Sequence, residues 1–371
     1  MQSWRVPVFS RLAKRPDLDL CVFHGETFAN SKVVNHSGEV DFAARSLKTL
    51  KVNFKTSNGP VHLPLNLGLW GALREFNPDV IVTEGASNAF NNLICFIYAR
   101  VHGRRIVQWG LGRIRGRKPS LFRRLMDLAF FAFIERNSDG AVAYSSLGAS
   151  YYKEIGVPED HIFTAVNTVD TDARQSAAEA YALLQGRSWP SPPPAQFHIL
   201  FVGALTHNKG VDILLKAFAR LVADGHDPRL TIVGDGVLRG EFEALALQLG
   251  VQDRTRFAGH VSGDIAQYFL DATVMVLPGL GGLAVSDALC HGVPVICGVG
   301  DGSESDLVNG RNGRILDPLN EQTLTEVLRE LQSSPALQKE WRDHARDVIV
   351  NQYNIHSYVA SIEDCIKKVA G

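Results

Sequence analysis

A chain of 371 residues is long enough for two domains, each with its own core. With 45% hydrophobic and 21% charged residues and a net charge of −1, it has the composition of a soluble protein. Global attraction to nucleic acid is excluded, so any electrostatic function has to be local. No segment has the length of a membrane span and the N-terminus lacks a signal-peptide pattern, so a membrane would be met only at its surface. Five cysteines (Cys21, Cys95, Cys290, Cys297 and Cys365) lie apart in apolar contexts with no CxxC pair. They read as reduced thiols of a cytoplasmic protein, not as a disulfide framework or a zinc site.

The first residues, MQSWRVPVFSRLAKRPDLDL, predict a helix running into a strand at Leu20 to His24. No strand precedes that helix, although an α/β domain usually begins with one; the first N-terminal strand is read as missing. Further on come a helix and the strand Val80 to Thr83, then a helix and the strand Arg105 to Trp109. A helix over Leu121 to Glu135 leads to the strand GAVAYSS, and YYKEIGV and HIFTAVNTVDT complete the half. Helices alternating with β-rich runs predict a parallel sheet covered on both faces.

Residues 173–196 change character: an alanine-rich stretch is followed by WPSPPPA, whose prolines forbid helix and sheet interiors. The domain boundary is placed there, between an N-terminal domain of residues 1–172 and a C-terminal domain of residues 197–350. Beyond it the rhythm restarts as HILFVGAL (strand), GVDILLKAFARLVADG (helix), PRLTIVGDG (strand), LRGEFEALALQLG (helix) and RTRFAGHV (strand). A last helix, within residues 351–371, is expected to pack back on the first domain. Two similar α/β domains joined by one linker predict a central cleft between the carboxyl ends of both parallel sheets, where ligands bind.

The stretch TVMVLPGLGGLAVSDALCHGVPVIC, residues 273–297, carries the most chemistry. An apolar strand stops at Pro278, a loop with Gly279, Gly281 and Gly282 follows, and a short helix runs from Leu283 to His291 before a second apolar strand. The first turn of such a helix has unpaired N–H groups and the positive end of the helix dipole, which together hold an anion. Asp287 lies one turn inside it.

FVGALTHNKGVDILLKAF, IVGDG, FAGHV, the 273–297 stretch and GRNGRIL occur in a fixed order. In that order they resemble the C-terminal domain of retaining nucleotide-sugar glycosyltransferases of family four (glycosyl transferases group 1), which have the GT-B fold of two Rossmann-like domains. IERNSDGAVAYSS and AVNTVDT are similar to the same family's last N-domain segments. The resemblance implies a nucleotide-sugar donor held by the C-terminal domain, a glycan or lipid-linked acceptor held by the N-terminal domain, and transfer with retention. It implies no metal and no cofactor, the nucleotide sugar being a substrate, and a place in polysaccharide or lipopolysaccharide biosynthesis.

Under that resemblance the donor site comprises Gly203, Lys209, Gly234, Phe257, Gly259, His260, Gly281, Gly282, Leu283, Ala284 and Asp287. Lys209 and the helix amides would meet the diphosphate, whose growing charge is the chemical difficulty of the reaction. Lys209 and Asp287 are the catalytic candidates, with Asp287 assigned to the ribose. Two departures stand out. Ala204 replaces the family's usual arginine, leaving Lys209 alone unless Arg239 or an N-domain arginine substitutes. Gly279 falls where a carboxylate for the donor sugar is usual.

On the acceptor side, Glu84 and Trp109 end strands, and Arg113 follows. Glu84 is read either as a group for an acceptor hydroxyl or as a structural loop acid, and Trp109 either as a sugar platform or as core. Basic residues crowd residues 104–124, with phenylalanines following, and predict contact with an anionic membrane surface that would make the protein peripheral. The alternatives are a GT-B nucleotide-sugar epimerase, which needs no acceptor, and a non-catalytic nucleotide-sugar-binding protein.

Overall fold

The computed structural model describes residues 1–26, 36, 38–56, 59–85, 88–112, 132–192, 194–261, 263, 265–279 and 281–371. It divides into two compact units: Met1–Val166 with His356–Gly371, and Asn167–Ile355.

Unit 1 opens on helix α1 (Val6–Ala13) and strand β1 (Cys21–Gly25), which pairs in parallel with β2 (Ala43–Leu47). An antiparallel hairpin follows, β3 (Thr49–Thr56) with β4 (Gly59–Asn66). This antiparallel pair departs from the expectation of a wholly parallel domain. Helices α2 (Leu69–Phe76) and α3 (Ala89–His102) then alternate with a four-stranded parallel sheet. Its strands are β5 (Val80–Glu84), β6 (Arg105–Gly110), β7 (Gly140–Ala143) and β8 (Ile162–Thr164), in that order. Helices α4 (Ala132–Arg136) and α5 (Ser146–Glu154) flank β7, and the Ser145 hydroxyl caps α5 by accepting from Gly148 N–H at 3.0 Å. Most of the helix expected over Leu121 to Glu135 lies outside the described residues, as do Arg113 and the core of the basic segment.

Unit 2 begins with α6 (Thr171–Leu184), capped by Asp170. The boundary expected at 173–196 is therefore corrected. Its alanine-rich part is a helix packed on two others of unit 2, α9 (Ala266–Leu270) and α10 (Leu283–Cys290). Just ahead of the proline-rich part, Arg187 donates to Asp271 at 2.7 Å and to the Leu270 carbonyl at 2.9 Å. Alanine's small side chain suits close helix packing and carries no signature of a linker.

The sheet of unit 2 is parallel throughout, in the order β11 (Thr255–Gly259), β10 (Arg229–Val233), β9 (His198–Val202), β12 (Val274–Leu277), β13 (Val295–Gly298), β14 (Gly313–Leu316). β12 and β13 are buried along their whole length, which is why they read as unbroken apolar runs. Helices α7 (Val211–Ala223), α8 (Arg239–Gln248), α11 (Glu304–Leu307), α12 (Glu321–Ser333) and α13 (Pro335–Asn351) complete the unit. Phe201, Phe218, Phe269 and Trp341 are among its largest fully buried side chains. The final helix, α14 (Ile355–Ala370), has residues from His356 onward in unit 1. No helix among the described residues is long and apolar enough to cross a membrane.

Candidate functional site

In the unit 2 sheet the strand order reverses between β9 and β12. The carboxyl ends at such a switch point open a crevice in which open α/β sheets take their ligands. The segments following β9 and β12 meet there. Lys209 Nζ donates to the Gly281 carbonyl at 3.3 Å, and Gly279 N–H donates to the Lys209 carbonyl at 3.1 Å.

Two glycines make this approach possible. A Cβ at Gly279 would lie 2.0 Å from the Asn208 carbonyl oxygen and 2.6 Å from the Lys209 Cα, so no side chain fits there. A Cβ at Gly234, whose φ is +136°, would lie 1.9 Å from the Gly203 carbonyl oxygen. The carboxylate expected near Gly279 is thus displaced by a backbone contact that sets the position of Lys209.

Gly282 is the N-cap of α10 and no side chain caps that helix, an arrangement in which the first-turn amides, at Leu283 and Ala284, can hold an anion. The ammonium of Lys209 is half-buried. Burial lowers its pKa, and the nearby Asp301 carboxylate opposes the shift. A desolvated cation beside a helix N-terminus is suited to a diphosphate.

A third loop, after β13, completes the wall. Buried Glu304 accepts from Gly300 N–H and Gly302 N–H, each at 2.8 Å, and pins the loop from below. The Cβ position of Gly300 is 3.0 Å from Gly281 N, so this loop abuts the loop after β12. Asp301 accepts from Ser303 Oγ at 2.6 Å and Ser303 N–H at 3.1 Å. Asp301, Ser303 and Glu304 are not among the residues that the sequence singles out. The acid-rich DGSESD following a buried strand was the available signal.

The other candidates fall out differently. Asp287 is buried and pairs with Arg174 Nε at 3.1 Å, while His291 Nδ1 is 3.5 Å from the same oxygen. It is therefore turned toward α6, whose Arg174 sequence reasoning missed. Ala204 is exposed at the end of β9. Arg239 does not stand in as a free phosphate cation: Glu243 holds it at 2.8 Å, with Asp235 at 3.7 Å. Gly259 lies beside it, Phe257 is half-buried and His260 is exposed.

In unit 1, Arg5 gathers the strand ends. Its guanidinium bonds Glu84 and the Tyr144 hydroxyl and lies over the rings of Trp4 and Trp109, 4.6 and 4.2 Å from their centroids. Burial works against its charge, but Tyr144 and Glu84 outweigh that and its pKa is raised. Trp109 is only 4% exposed, wrapped also by Phe9 and Tyr144, which fits the core-packing reading of the two offered for it. Glu84 keeps a side chain 40% exposed while its partner Arg5 is buried. Within the basic segment, Arg104 and Arg105 are paired with Asp79 and Asp139 at 2.9 and 3.0 Å.

These two α/β units define the GT-B class of folds. The Anabaena protein Alr3699/HepE, solved in complex with UDP, superposes with a TM-score of 0.67 at 16% identity, over 88% of this chain and 86% of that one. Residues 190–348 match the model of the family Glycosyl transferases group 1. Over 153 residues the chain is 33% identical to the 2-deoxystreptamine glucosyltransferase of Streptomyces kanamyceticus, covering 40% of this chain and 39% of that protein. It is 29% identical over 153 residues to the lipopolysaccharide glucosyltransferase WaaG of Escherichia coli, covering 40% of each. The chain thus spans about two fifths of the length of these curated relatives.

Proposed function

We propose that this protein is a glycosyltransferase that moves a sugar from a nucleoside-diphosphate donor to a glycan or lipid-linked acceptor, with retention at the anomeric carbon. The observation that carries the proposal is the anion site of unit 2, where Lys209 and the uncapped start of α10 converge at the sheet's switch point in a group 1 domain. Chemically, the glycosidic bond breaks as charge grows on the diphosphate. Fixed donors already aimed at that charge lower the barrier, because they need no reorganisation at the moment of reaction. Lys209 and the amides of Leu283 and Ala284 are those donors. Asp287, held by Arg174, acts by positioning α10 and the ribose edge of the site.

The UDP complex of HepE, together with the glucosyl transfer named for both curated relatives, makes UDP-glucose the first donor to test. The acceptor is assigned to unit 1, with Glu84 the exposed carboxylate at its strand ends. Association with an anionic membrane surface at the cytoplasmic face belongs to the same proposal and is carried by the basic composition of residues 104–124.

The test is a thermal-shift screen with UDP, GDP, ADP and their sugar conjugates, since a ligand of the folded state raises the melting temperature. At least one nucleoside diphosphate is expected to stabilise the protein. Stabilisation by none at millimolar concentration would refute the donor site. Turnover that needs no second substrate would favour an epimerase.

A further inference from the structure

We propose that Asp301 is the residue that reads the donor's sugar, accepting hydrogen bonds from its hydroxyl groups; this rests on the donor-site reading above. A nucleotide sugar carries its sugar on the distal phosphate, so the sugar must lie within a few ångströms of whatever holds that phosphate. Lys209 is that group, and the wall beside it is made by the loops after β12 and β13. The first of these offers no carboxylate: Gly279 has no room for a side chain, with backbone atoms 2.0 and 2.6 Å from its Cβ position. Gly281 is engaged at its carbonyl by Lys209.

The loop after β13 does offer one. Glu304 is buried beneath it and spends both oxygens on Gly300 and Gly302 N–H, which fixes the loop's backbone and removes Glu304 from ligand binding. Gly300 is packed against Gly281, so Asp301 stands next to the phosphate loop. Its Oδ1 is held by the Ser303 hydroxyl and N–H, which orients the carboxylate plane. Its charge lies near enough to favour the protonated form of Lys209, against the effect of burial.

Asp301 therefore has two states. Without ligand its charge is partly offset by the nearby Lys209. When a diphosphate takes the ammonium, the carboxylate loses that partner and a polyhydroxylated ring on the distal phosphate supplies donors in exchange. A carboxylate accepts from two neighbouring hydroxyls, and hydrogen bonds to a charged group are the stronger class. A bare diphosphate gives Asp301 nothing in return and meets its repulsion.

The two ligand types therefore respond in opposite directions to loss of the charge. The experiment is isothermal titration of wild type, Asp301→Asn and Ser303→Ala with UDP, GDP, UDP-glucose, UDP-N-acetylglucosamine and GDP-mannose. In Asp301→Asn the nucleotide sugar that wild type binds is expected to weaken about tenfold or more, while its nucleoside diphosphate binds unchanged or a few-fold tighter. Ser303→Ala should move the same ratio in the same direction by less, since it frees the carboxylate's orientation and keeps its charge. Equal weakening of both ligands would mean a collapsed loop and would overturn the assignment, as would no change in either. Failure of wild type to bind any nucleoside diphosphate would instead bring down the donor reading, and this assignment with it.

Discussion

Replacing Gly279 by alanine tests whether the loop after β12 is set by backbone contact. The added methyl would stand 2.0 Å from the Asn208 carbonyl oxygen and 2.6 Å from the Lys209 Cα. Both obstacles are main chain, so nothing can rotate away, and one segment has to retreat by more than an ångström to reach ordinary contact. Overpacking of this kind costs about 1–3 kcal/mol. In a unit the size of residues 167–355 each kcal/mol moves Tm by roughly 2–4 °C, so a loss of about 2–12 °C is expected. The shift also breaks the Gly279 N–H bond to the Lys209 carbonyl and moves the ammonium. Misplacing a binding group by about 1 Å can cost on the order of a hundredfold in rate. Differential scanning calorimetry and titration with UDP measure the two effects. Gly240→Ala is the control, since its Cβ meets nothing within 4 Å on helix α8 and the change should be neutral or slightly stabilising. A Gly279→Ala protein that melts with wild type and binds the diphosphate equally well would refute the reasoning.

Lys209→Ala should lower diphosphate affinity by about 1.5–3 kcal/mol, some 10- to 150-fold, with little change in Tm; an unaltered Kd removes Lys209 from the site. Glu84→Ala leaves the buried Arg5 guanidinium without its carboxylate and should cost about 3–5 kcal/mol in urea unfolding, whereas Arg5→Met keeps an apolar filler between Trp4 and Trp109 and should cost less. The reverse order would show that the pair is not held as described. His198 is bonded to the Asp271 carbonyl and Thr231 Oγ1, each at 2.8 Å, and burial lowers its pKa below 6.5. The unfolded chain then binds the extra proton first, so stability falls as pH drops below about 6.5. Between pH 7.5 and 5.5 the Tm of wild type should fall more than that of His198→Gln, and equal slopes would exclude the effect.

The parallel sheet of unit 2 was legible because burial on both faces writes itself as apolar runs such as VMVL and VICG, punctuated by glycine and proline. Lys209 and Gly282 were legible for a similar reason, since a strand, a glycine loop and a helix in sequence imply where the loop must point. The hairpin of β3 and β4 was not, because a parallel rhythm was expected and its alternation is broken by prolines at residues 60 and 64. Arg5 and Arg174 were invisible for a different reason. Each becomes informative only through partners 79 and 113 residues away, Glu84 and Asp287, and no local pattern encodes that distance. The thiols show the converse case. Cys95, Cys290, Cys297 and Cys365 were read as reduced thiols from their apolar contexts; all four are unbridged, and burial pushes their pKa values to about 12.

Gly279 and Asp301 are best understood together. A carboxylate can reach a donor sugar only from a loop whose backbone leaves room for a side chain, and the loop after β12 gave up that room by closing on Asn208 and Lys209. What it gained was a fixed lysine, since Gly279 N–H and the Gly281 carbonyl hold Lys209 at its main chain and its ammonium. The loop after β13 is fixed differently, by a buried carboxylate beneath it, and so has its outer face available for a second acid. Phosphate binding and sugar recognition are then divided between two loops with independent supports. It follows that substitutions at Asp301 and Ser303 should change which sugar is accepted with little effect on the nucleoside diphosphate, whereas substitutions at Gly279 should affect every donor alike.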